Sequence, residues 1–268
     1  MSDFPQVLTI AGSDSGGGAG IQADLKTFQM RRVFGTSVIT AITAQNTLGV
    51  FDIHCIPLSS IEAQIKAVAE DFNIKAVKIG MLANSDIIEC VAKSLRHYAF
   101  EQIVLDPVMI AKGGASLLQP SAVNALKRYL LPLAKVITPN LPEAETLSGI
   151  PIRNQQDCRR AAEILQAAGA ENLIIKGGHS ENSGSTECRD YLFTPHGEFI
   201  LNAKRYPTRH THGTGCTFSA CLCAELAKGH SVEAAARKAK AFISAAIAAP
   251  LNIGHGQGPT NHWAYCDE

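Results

Sequence analysis

The chain has 268 residues, of which 46% are hydrophobic, and its 24 Lys and Arg residues balance 24 Asp and Glu residues. This composition is typical of an ordinary globular protein, and the absence of a net charge argues against nucleic acid or an anionic membrane as the main partner. No apolar run approaches the ~20 residues that a membrane-spanning helix needs.

The N-terminus and the cysteines predict a cytoplasmic protein. An acidic residue, Asp3, stands where a secretory signal would carry basic residues. The eight cysteines are scattered along the chain. Without a secretory signal this pattern favours reduced thiols over a disulfide framework.

Short β-branched segments alternate with helical patterns along the chain. The predicted strands are 7–10, 37–43, 76–79, 103–105, 136–138 and 173–176, and the helices between them are 21–31, 60–71, 86–97, 121–131 and 155–168. This alternation predicts an α/β fold in which helices flank both faces of a central, mostly parallel sheet.

The C-terminal third of the chain departs from this alternation. Segments 190–193 and 198–201 predict a small antiparallel hairpin, and 220–228 and 231–249 predict two closing helices. No repeat, low-complexity linker or change of composition divides the chain. We therefore expect a single domain over residues 1–268.

Polar clusters follow several predicted strands directly, at positions 12–15, 45–46, 106–107, 140–143 and 176–179. In open parallel sheets, ligands bind outside the carboxyl ends of the strands. These clusters should therefore meet at one edge of the sheet and form a single site.

Gly213 and Gly215 lead into the first closing helix, with Cys216 directly after them. A helix start carries unpaired N–H groups and a partial positive charge, and glycine lets an anion approach closely. The same terminus should lower the pKa of the Cys216 thiol. The alternative is a tight turn beside a buried structural cysteine.

Asp106, Asn140 and Glu143 offer the oxygen ligands that Mg²⁺ prefers. Asn140 could also cap a helix, with Glu143 in its first turn, and the two interpretations are compatible. Lys176 is a candidate phosphate partner, or a strand-end lysine whose charged tip reaches water.

Gln45 has an amide that donates and accepts together, which suits the edge of an aminopyrimidine ring, although a buried glutamine can also satisfy loop backbone. The glycine-rich segment 12–20 fits neither a dinucleotide-binding fingerprint nor a P-loop. The segment either forms a plain turn or lets the backbone approach a small substrate closely, with Asp24 within reach of that substrate. Segment 106–116 has the glycines of a lid that could exclude water.

Taken together, the chain resembles the bacterial hydroxymethylpyrimidine/phosphomethylpyrimidine kinases of thiamin biosynthesis, within the ribokinase-like superfamily. The resemblance covers essentially the whole chain and rests on segments 10–26, 43–46, 78–82, 106–109, 138–145, 176–179 and 212–220. It implies Mg²⁺- and ATP-dependent phosphorylation of 4-amino-5-hydroxymethyl-2-methylpyrimidine, and then of its monophosphate to the diphosphate. It also implies a ribokinase-like fold and a homodimer.

The resemblance assigns a role to each candidate residue. The anion hole for the transferring phosphoryl group falls on Gly213, Gly215 and Cys216. Substrate contacts fall on Gln45, Gly12, Asp24, Met81 and Val108. Contacts to ATP fall on Lys176, Thr211, Asn140 and Glu143, and the metal ligands are Asp106 and Glu143.

Most sugar kinases of the superfamily have an aspartate base where this chain has Cys216. A thiolate could accept the hydroxyl proton in the first phosphorylation, whereas a phosphate acceptor needs little base catalysis. We therefore expect Cys216 to matter more for the first step. The alternatives are a pyridoxal kinase, an enzyme with both activities, a sugar kinase, or a non-catalytic pyrimidine-binding regulator.

Overall fold

The computed structural model describes residues 4–111, 113–177 and 186–266. Within these ranges one sheet is built from β1 (Gln6–Asp14), β2 (Phe34–Asn46), β3 (Gly49–Cys55), β4 (Ile74–Ile79), β5 (Ile103–Leu105), β6 (Val136–Ile137), β7 (Asn172–Lys176), β8 (Glu187–Thr194) and β9 (Gly197–Lys204). The strand order is β3-β2-β1-β4-β5-β6-β7-β8-β9.

The centre of the sheet is parallel and its two ends are antiparallel. Strands β2, β1, β4, β5, β6 and β7 run in the same direction. Strand β3 pairs antiparallel with β2, and β8 pairs antiparallel with β7 and β9. The predicted mostly parallel sheet and its antiparallel hairpin are therefore confirmed.

Eight helices are found in the described part of the chain: α1 (Gly20–Met30), α2 (Leu58–Asp71), α3 (Ser85–His97), α4 (Ala122–Ala125), α5 (Leu141–Ser148), α6 (Gln155–Ala167), α7 (Thr214–Ala227) and α8 (Val232–Ala248). Helix α4 continues into a π-helical turn, Leu126–Leu130, and a 3₁₀ turn, Leu131–Leu133. The described residues include no helix long and apolar enough to cross a membrane.

Two apolar cores lie on opposite faces of the sheet, which confirms the predicted arrangement of helices. Helices α2 to α6 contribute to one core, which includes Ile65, Val91 and Leu165. Helices α1, α7 and α8 contribute to the other, which includes Phe28, Leu222 and Phe242. The central strands are buried on both faces, which explains their nearly continuous runs of β-branched residues.

Some predicted boundaries were wrong. Strand β3 was not predicted, because it lies at the sheet edge and its pattern is half-exposed and includes the polar residues Asp52 and His54. Helix α7 begins at Thr214 rather than at residue 220, directly after its glycine N-cap. Strands β1 and β2 extend to Asp14 and Asn46, so two of the polar clusters lie on strand ends rather than after them.

Candidate active site

The polar clusters at the ends of the parallel strands line one cavity of about 840 Å³. Its wall contains every predicted site residue except Asp24. These residues are Gly12, Gln45, Met81, Asp106, Val108, Asn140, Glu143, Lys176, Thr211, Gly213, Gly215 and Cys216. Those that follow or end a parallel strand meet because such strands bring their carboxyl ends to the same edge of the sheet, and the N-terminus of α7 lies at that cavity as well.

The N-terminus of α7 forms part of the cavity wall and starts with a left-handed glycine. Gly213 has a φ of 80°, and a Cβ there would lie 1.7 Å from the carbonyl oxygen of Gly18. Glycine is therefore required at this position. Within the described ranges, the backbone N–H groups of Gly215 and Cys216 have no hydrogen-bond acceptor. Free N–H groups at a helix start make this point suitable for an anion.

The Cys216 side chain is half-buried in the cavity wall beside these N–H groups. Burial raises the pKa of its thiol to about 11, although the ammonium of Lys78 acts in the opposite direction. The prediction of a lowered thiol pKa was wrong, because the loss of surrounding water outweighs the effect of the helix terminus. The resting thiol is therefore protonated at neutral pH.

Lys176 and Asp106 form an ion pair against the first turn of α7. The Lys176 Nζ donates to Asp106 Oδ1 at 2.9 Å, and the hydroxyls of Thr138 and Ser219 donate to the same carboxylate at 3.2 and 3.3 Å. Burial acts to lower the pKa of Lys176, but the Asp106 and Glu143 carboxylates together outweigh it and the pKa is raised. A Cβ on Gly215 would lie 3.3 Å from the Lys176 Nζ, so the cation lies close to the anion site.

Asn140 and Glu143 form a reciprocal cap at the start of α5. The Asn140 N–H donates to Glu143 Oε2 at 2.8 Å, and the Glu143 N–H donates to Asn140 Oδ1 at 2.9 Å. The capping interpretation is thus confirmed. Burial raises the pKa of Glu143 to about 7; Lys176 opposes this effect and Asp106 adds to it.

The carboxylates of Asp106 and Glu143 suit a hard cation. Asp106 contributes to the raised pKa of Glu143 even with Lys176 nearby, so added positive charge would be favourable here. Mg²⁺ commonly takes one or two protein carboxylates and completes its shell with water and substrate phosphates. In the described ranges, no cluster of three or more His, Cys, Asp or Glu residues could hold a metal ion by itself.

The predicted substrate contacts Gly12, Gln45, Met81 and Val108 line the same cavity. A Cβ on Gly12 would lie 3.0 Å from the Met81 Sδ, so a larger residue would displace that side chain. The Gln45 Oε1 accepts from the Thr43 hydroxyl at 3.0 Å, which fixes the orientation of the half-buried amide.

Asp24 lies beneath the cavity and not in its wall. Its side chain is fully buried, and its Oδ2 accepts from the Thr9 hydroxyl at 2.6 Å and from the Lys78 Nζ at 2.8 Å. Lys78 itself belongs to the cavity wall. The geometry therefore does not support the predicted direct contact between Asp24 and the substrate.

His212 and Asp14 are cavity residues to which the sequence analysis assigned no role. The His212 Nε2 lies 2.8 Å from Asp14 Oδ2, which also accepts the backbone N–H groups of Gly18 and Ala19 at 3.0 and 2.8 Å. Burial acts to raise the pKa of Asp14, but His212 and the N–H groups of Ala19 and Gly16 outweigh it, so the pKa is lowered. The pair connects the glycine-rich loop after β1 to the segment that leads into α7. The position of His212 directly before Gly213 was the feature of the sequence that could have indicated its role.

The cavity also extends between β8, β9 and α8, where no site residue was predicted. Buried Lys240 donates to Asp190 Oδ2 at 2.7 Å, and Ile243 and Ile247 add apolar surface. With this extension the cavity has the volume of a nucleotide-sized ligand site.

Two predicted features fall partly outside the described residues. Gly178 and His179, which complete the polar cluster after Lys176, are not among them, and neither is Lys112 of the glycine-containing loop. In the described part of that loop, the Ala111 N–H donates to the Ala115 carbonyl at 2.8 Å. A lid function for this loop stays a prediction.

Comparison with known proteins identifies the family. A family model described as phosphomethylpyrimidine kinase matches residues 14–261. The hydroxymethylpyrimidine/phosphomethylpyrimidine kinase of Haemophilus influenzae is 66% identical over 266 residues, which are 99% of both chains. The enzyme of the same name from Bacillus subtilis is 52% identical over 260 residues, which are 97% of this chain and 95% of that one.

A solved structure confirms the predicted fold class. The pyridoxal kinase from Staphylococcus aureus in complex with AMP-PCP and pyridoxal superposes with a TM-score of 0.90 and 35% identity, over 98% of this chain and 95% of that chain. The predicted family is confirmed by the sequence relatives. The chain belongs to the hydroxymethylpyrimidine/phosphomethylpyrimidine kinases, a family of phosphotransferases in thiamin biosynthesis.

Proposed function

We propose that the protein transfers the γ-phosphoryl group of ATP to the hydroxymethyl group of 4-amino-5-hydroxymethyl-2-methylpyrimidine, and then a second phosphoryl group to the resulting monophosphate. The observation that carries the proposal is the unpaired N-terminus of α7, which shares one cavity with the amide of Gln45 and the ammonium of Lys176. The helix N-terminus suits a transferring phosphoryl group, the amide suits an aminopyrimidine, and the ammonium suits a nucleotide phosphate. The family of the chain supports the same reaction.

ATP occupies the part of the cavity that runs from α7 to the β8–β9 hairpin. Its phosphates meet Lys176, Thr211 and the α7 N-terminus, and its base and ribose lie towards Lys240 and Ile243 on α8. A related pyridoxal kinase of the same fold is known in complex with AMP-PCP, which supports the use of a nucleoside triphosphate.

In the first transfer, a bond forms between the hydroxymethyl oxygen and the γ-phosphorus, the bond from that phosphorus to the β–γ bridging oxygen breaks, and ADP leaves. The hydroxyl proton passes to the thiolate of Cys216. The N–H groups of Gly215 and Cys216 stabilise the charge on the phosphoryl oxygens. Because the transition state of phosphoryl transfer is loose, positioning and charge stabilisation supply most of the acceleration.

The raised pKa of Cys216 has a cost and a benefit for this step. With a pKa of about 11, only about one thiol in ten thousand is ionised at pH 7. The thiolate that does form is a strong base and takes an alcohol proton readily. In the second transfer, the acceptor is a phosphate oxygen without a proton to remove, so Cys216 contributes mainly to the first.

Asp106 and Glu143 would hold Mg²⁺ together with the ATP phosphates. When bound, the ion neutralises phosphate charge and supports the leaving ADP. The hydrogen bond from the Asn140 N–H orients the Glu143 carboxylate at the cavity wall.

Pyridoxal kinase activity is the second candidate, because the solved structures of this fold include pyridoxal kinases, such as the S. aureus enzyme in complex with pyridoxal at a TM-score of 0.90. Gln45 favours the aminopyrimidine, since an amide can accept from an exocyclic amine while it donates to a ring nitrogen. Pyridoxal presents a ring hydroxyl and an aldehyde instead. We therefore assign pyridoxal a lower kcat/KM.

We also propose three further properties: one domain over residues 1–268, a homodimeric assembly and a cytoplasmic location. Light scattering on the purified protein tests the assembly by its mass. Fractionation of the source cells tests the location.

A coupled ADP-release assay with Mg²⁺ and ATP tests the proposed function. The acceptors are hydroxymethylpyrimidine, its monophosphate, pyridoxal and ribose, each in a parallel reaction. Turnover of both pyrimidines with weak pyridoxal activity is expected. Turnover of pyridoxal alone would identify a vitamin B6 kinase, and no turnover of any acceptor would favour a binding-only regulator.

A further inference from the structure

A fully buried lysine lies on the central strand β4, on the sheet face that α1 and α7 cover. In the β1–β4 register Lys78 pairs with Thr9, and both side chains donate to the Asp24 Oδ2, at 2.8 and 2.6 Å. The side chains of Lys78 and Asp24 are both 0% exposed. A complete ion pair is thus enclosed between the sheet and α1.

Stability does not explain this pair. Buried ion pairs often stabilise a protein less than apolar residues of similar volume, because both charges lose their water. In addition, the Asp24 Oδ1 is buried and has no hydrogen-bond partner among the described residues. An unsatisfied carboxylate oxygen adds a further penalty. An explanation from function is needed.

The position of the pair relative to the anion site supplies that explanation. Charged groups from four elements interact electrostatically with Cys216: Lys78 from β4, Asp24 from α1, Asp106 after β5, and Lys176 at the end of β7. Lys176 is partly exposed and paired with Asp106, whereas Lys78 is the deeper cation and also belongs to the cavity wall.

We propose that Lys78 is a positioning residue for phosphoryl transfer: held by Asp24, its ammonium places a fixed positive charge on the inner side of the anion site formed by the α7 N-terminus. This inference rests on the proposed function. Negative charge from the phosphoryl group and the acceptor oxygen meets backbone N–H groups from α7 and this buried cation from the sheet. Because the Lys78 ammonium is fully buried, its charge acts strongly and does not need to reorganise during the reaction.

The geometry also keeps the ammonium in place and charged. A Cβ on Gly80 would lie 2.8 Å from the Lys78 Nζ, so glycine at that position leaves the space that the cation needs. Burial acts to lower the pKa of Lys78, but the negative charge around it, above all that of Asp24, outweighs this effect and the pKa is raised. The positive charge therefore persists at working pH.

The test is the double variant Lys78→Met/Asp24→Leu, which replaces the ion pair with apolar side chains of similar size and avoids the unpaired carboxylate of Lys78→Met alone. We expect a folded protein, an ADP dissociation constant within about threefold of the wild type by calorimetry, and a kcat that falls ~100-fold or more for both pyrimidine acceptors. A KM effect without a kcat effect, or an unchanged kcat in the folded variant, would overturn the inference.

The control is Arg31→Met/Glu225→Leu, which removes another buried ion pair, between the C-cap of α1 and helix α7, outside the cavity wall. Lys228 and His230 lose their contacts with Glu225 in the same variant. The control variant should keep the kcat of the wild type, even if its melting temperature falls. An equal loss of kcat in the control would show that loosening of α1 and α7 causes the effect, and would also overturn the inference. An inactive wild type would contradict the proposed function itself. Failure of the proposed function can therefore be distinguished from failure of the inference about Lys78.

Discussion

The Lys176 Nζ lies 2.9 Å from Asp106 Oδ1, although 70 positions separate the two residues in the sequence. The parallel sheet brings them together, because β5 and β7 flank β6 and end at the same edge. The pair places a cation beside the N-terminus of α7 and a carboxylate beside Glu143. One hydrogen bond thereby links the proposed nucleotide contact, Lys176, to the proposed metal ligand, Asp106.

Replacing Lys176 with Met should remove a phosphate contact and leave Asp106 buried without its counter-charge. We expect kcat/KM for ATP to fall ~100-fold or more. The free energy of unfolding should fall by about 3 kcal/mol, since one partner of a buried ion pair is lost. Steady-state kinetics and denaturant unfolding measure the two effects. Lys135→Met is the control: its pair with Glu171 is partly exposed, so both quantities should stay near wild type.

Gly213→Ala should abolish most activity, because a Cβ would lie 1.7 Å from the Gly18 carbonyl oxygen and would force α7 away from the cavity. Gly229, just beyond the other end of α7, is the matched control: its φ is 87° and nothing lies within 4 Å of a Cβ there. Gly229→Ala should cost about 1–2 kcal/mol of stability from backbone strain alone and keep its kcat. Similar kcat values for the two variants would contradict the assigned anion site.

Cys216→Ala should slow the first phosphorylation more than the second. If the thiolate is the base, kcat for hydroxymethylpyrimidine falls ~100-fold or more, and kcat for the monophosphate changes by only about a few-fold. Single-turnover assays on each acceptor give both rates. Cys223→Ala, on the same helix and away from the cavity wall, should leave the ratio of the two rates unchanged. An equal loss of rate in both phosphorylation steps would contradict the assignment of Cys216 as a base.

The pH dependence of the first step gives a second test of that base. Because the thiol pKa is about 11, the thiolate fraction rises with pH throughout the accessible range. The rate for hydroxymethylpyrimidine should therefore rise about tenfold per pH unit between pH 7 and 9, until another step limits it. The Cys216→Ala rate should be flat over that range, and a flat wild-type profile would contradict thiolate catalysis.

Glu143 should make the empty protein less stable as the pH rises. Its pKa is about 7 in the folded protein against an ordinary 4.5, so protonation favours the folded state. The contribution is fully present below pH 4.5 and is lost as the pH rises through 7, with a total of about 3 kcal/mol. Thermal unfolding without Mg²⁺ should therefore depend less on pH between 5 and 8 in Glu143→Gln than in the wild type. Identical pH profiles would rule out this carboxyl group as the source.

Gln45→Leu should change the choice of acceptor. Loss of the amide should lower kcat/KM for hydroxymethylpyrimidine by ~10–100-fold, because a polar ring edge loses its partner. The value for pyridoxal should change less. Competition between the two acceptors in one reaction, resolved by mass, measures the ratio directly, and an unchanged ratio would show that other residues determine selectivity.

The sequence was sufficient to predict the parallel sheet and the assembly of the site. Asp106, Glu143 and Lys176 line one cavity, as expected, because each follows or ends a short apolar strand and the parallel topology determines where they meet. Gly213 could be found because a paired-glycine turn before a helix has few structural roles.

Other features depend on contacts that a linear pattern does not reveal. Asp24 was placed at the substrate, but α1 turns that carboxylate inwards to Lys78, a partner 54 positions away. A lysine within an apolar strand gave no sign that it was fully buried. The pKa of Cys216 was predicted in the wrong direction, because helix position was visible in the sequence and burial was not.

Phosphorus NMR of a single reaction tests the central claim most directly. The wild-type protein is incubated with Mg²⁺, ATP and 4-amino-5-hydroxymethyl-2-methylpyrimidine, and the products are followed over time. We expect the monophosphate signal to rise first and then to be replaced by the two coupled signals of the diphosphate, with ADP formed in each step. Phosphorylation of pyridoxal but not of the pyrimidine, or no transfer from ATP to either, would contradict the account.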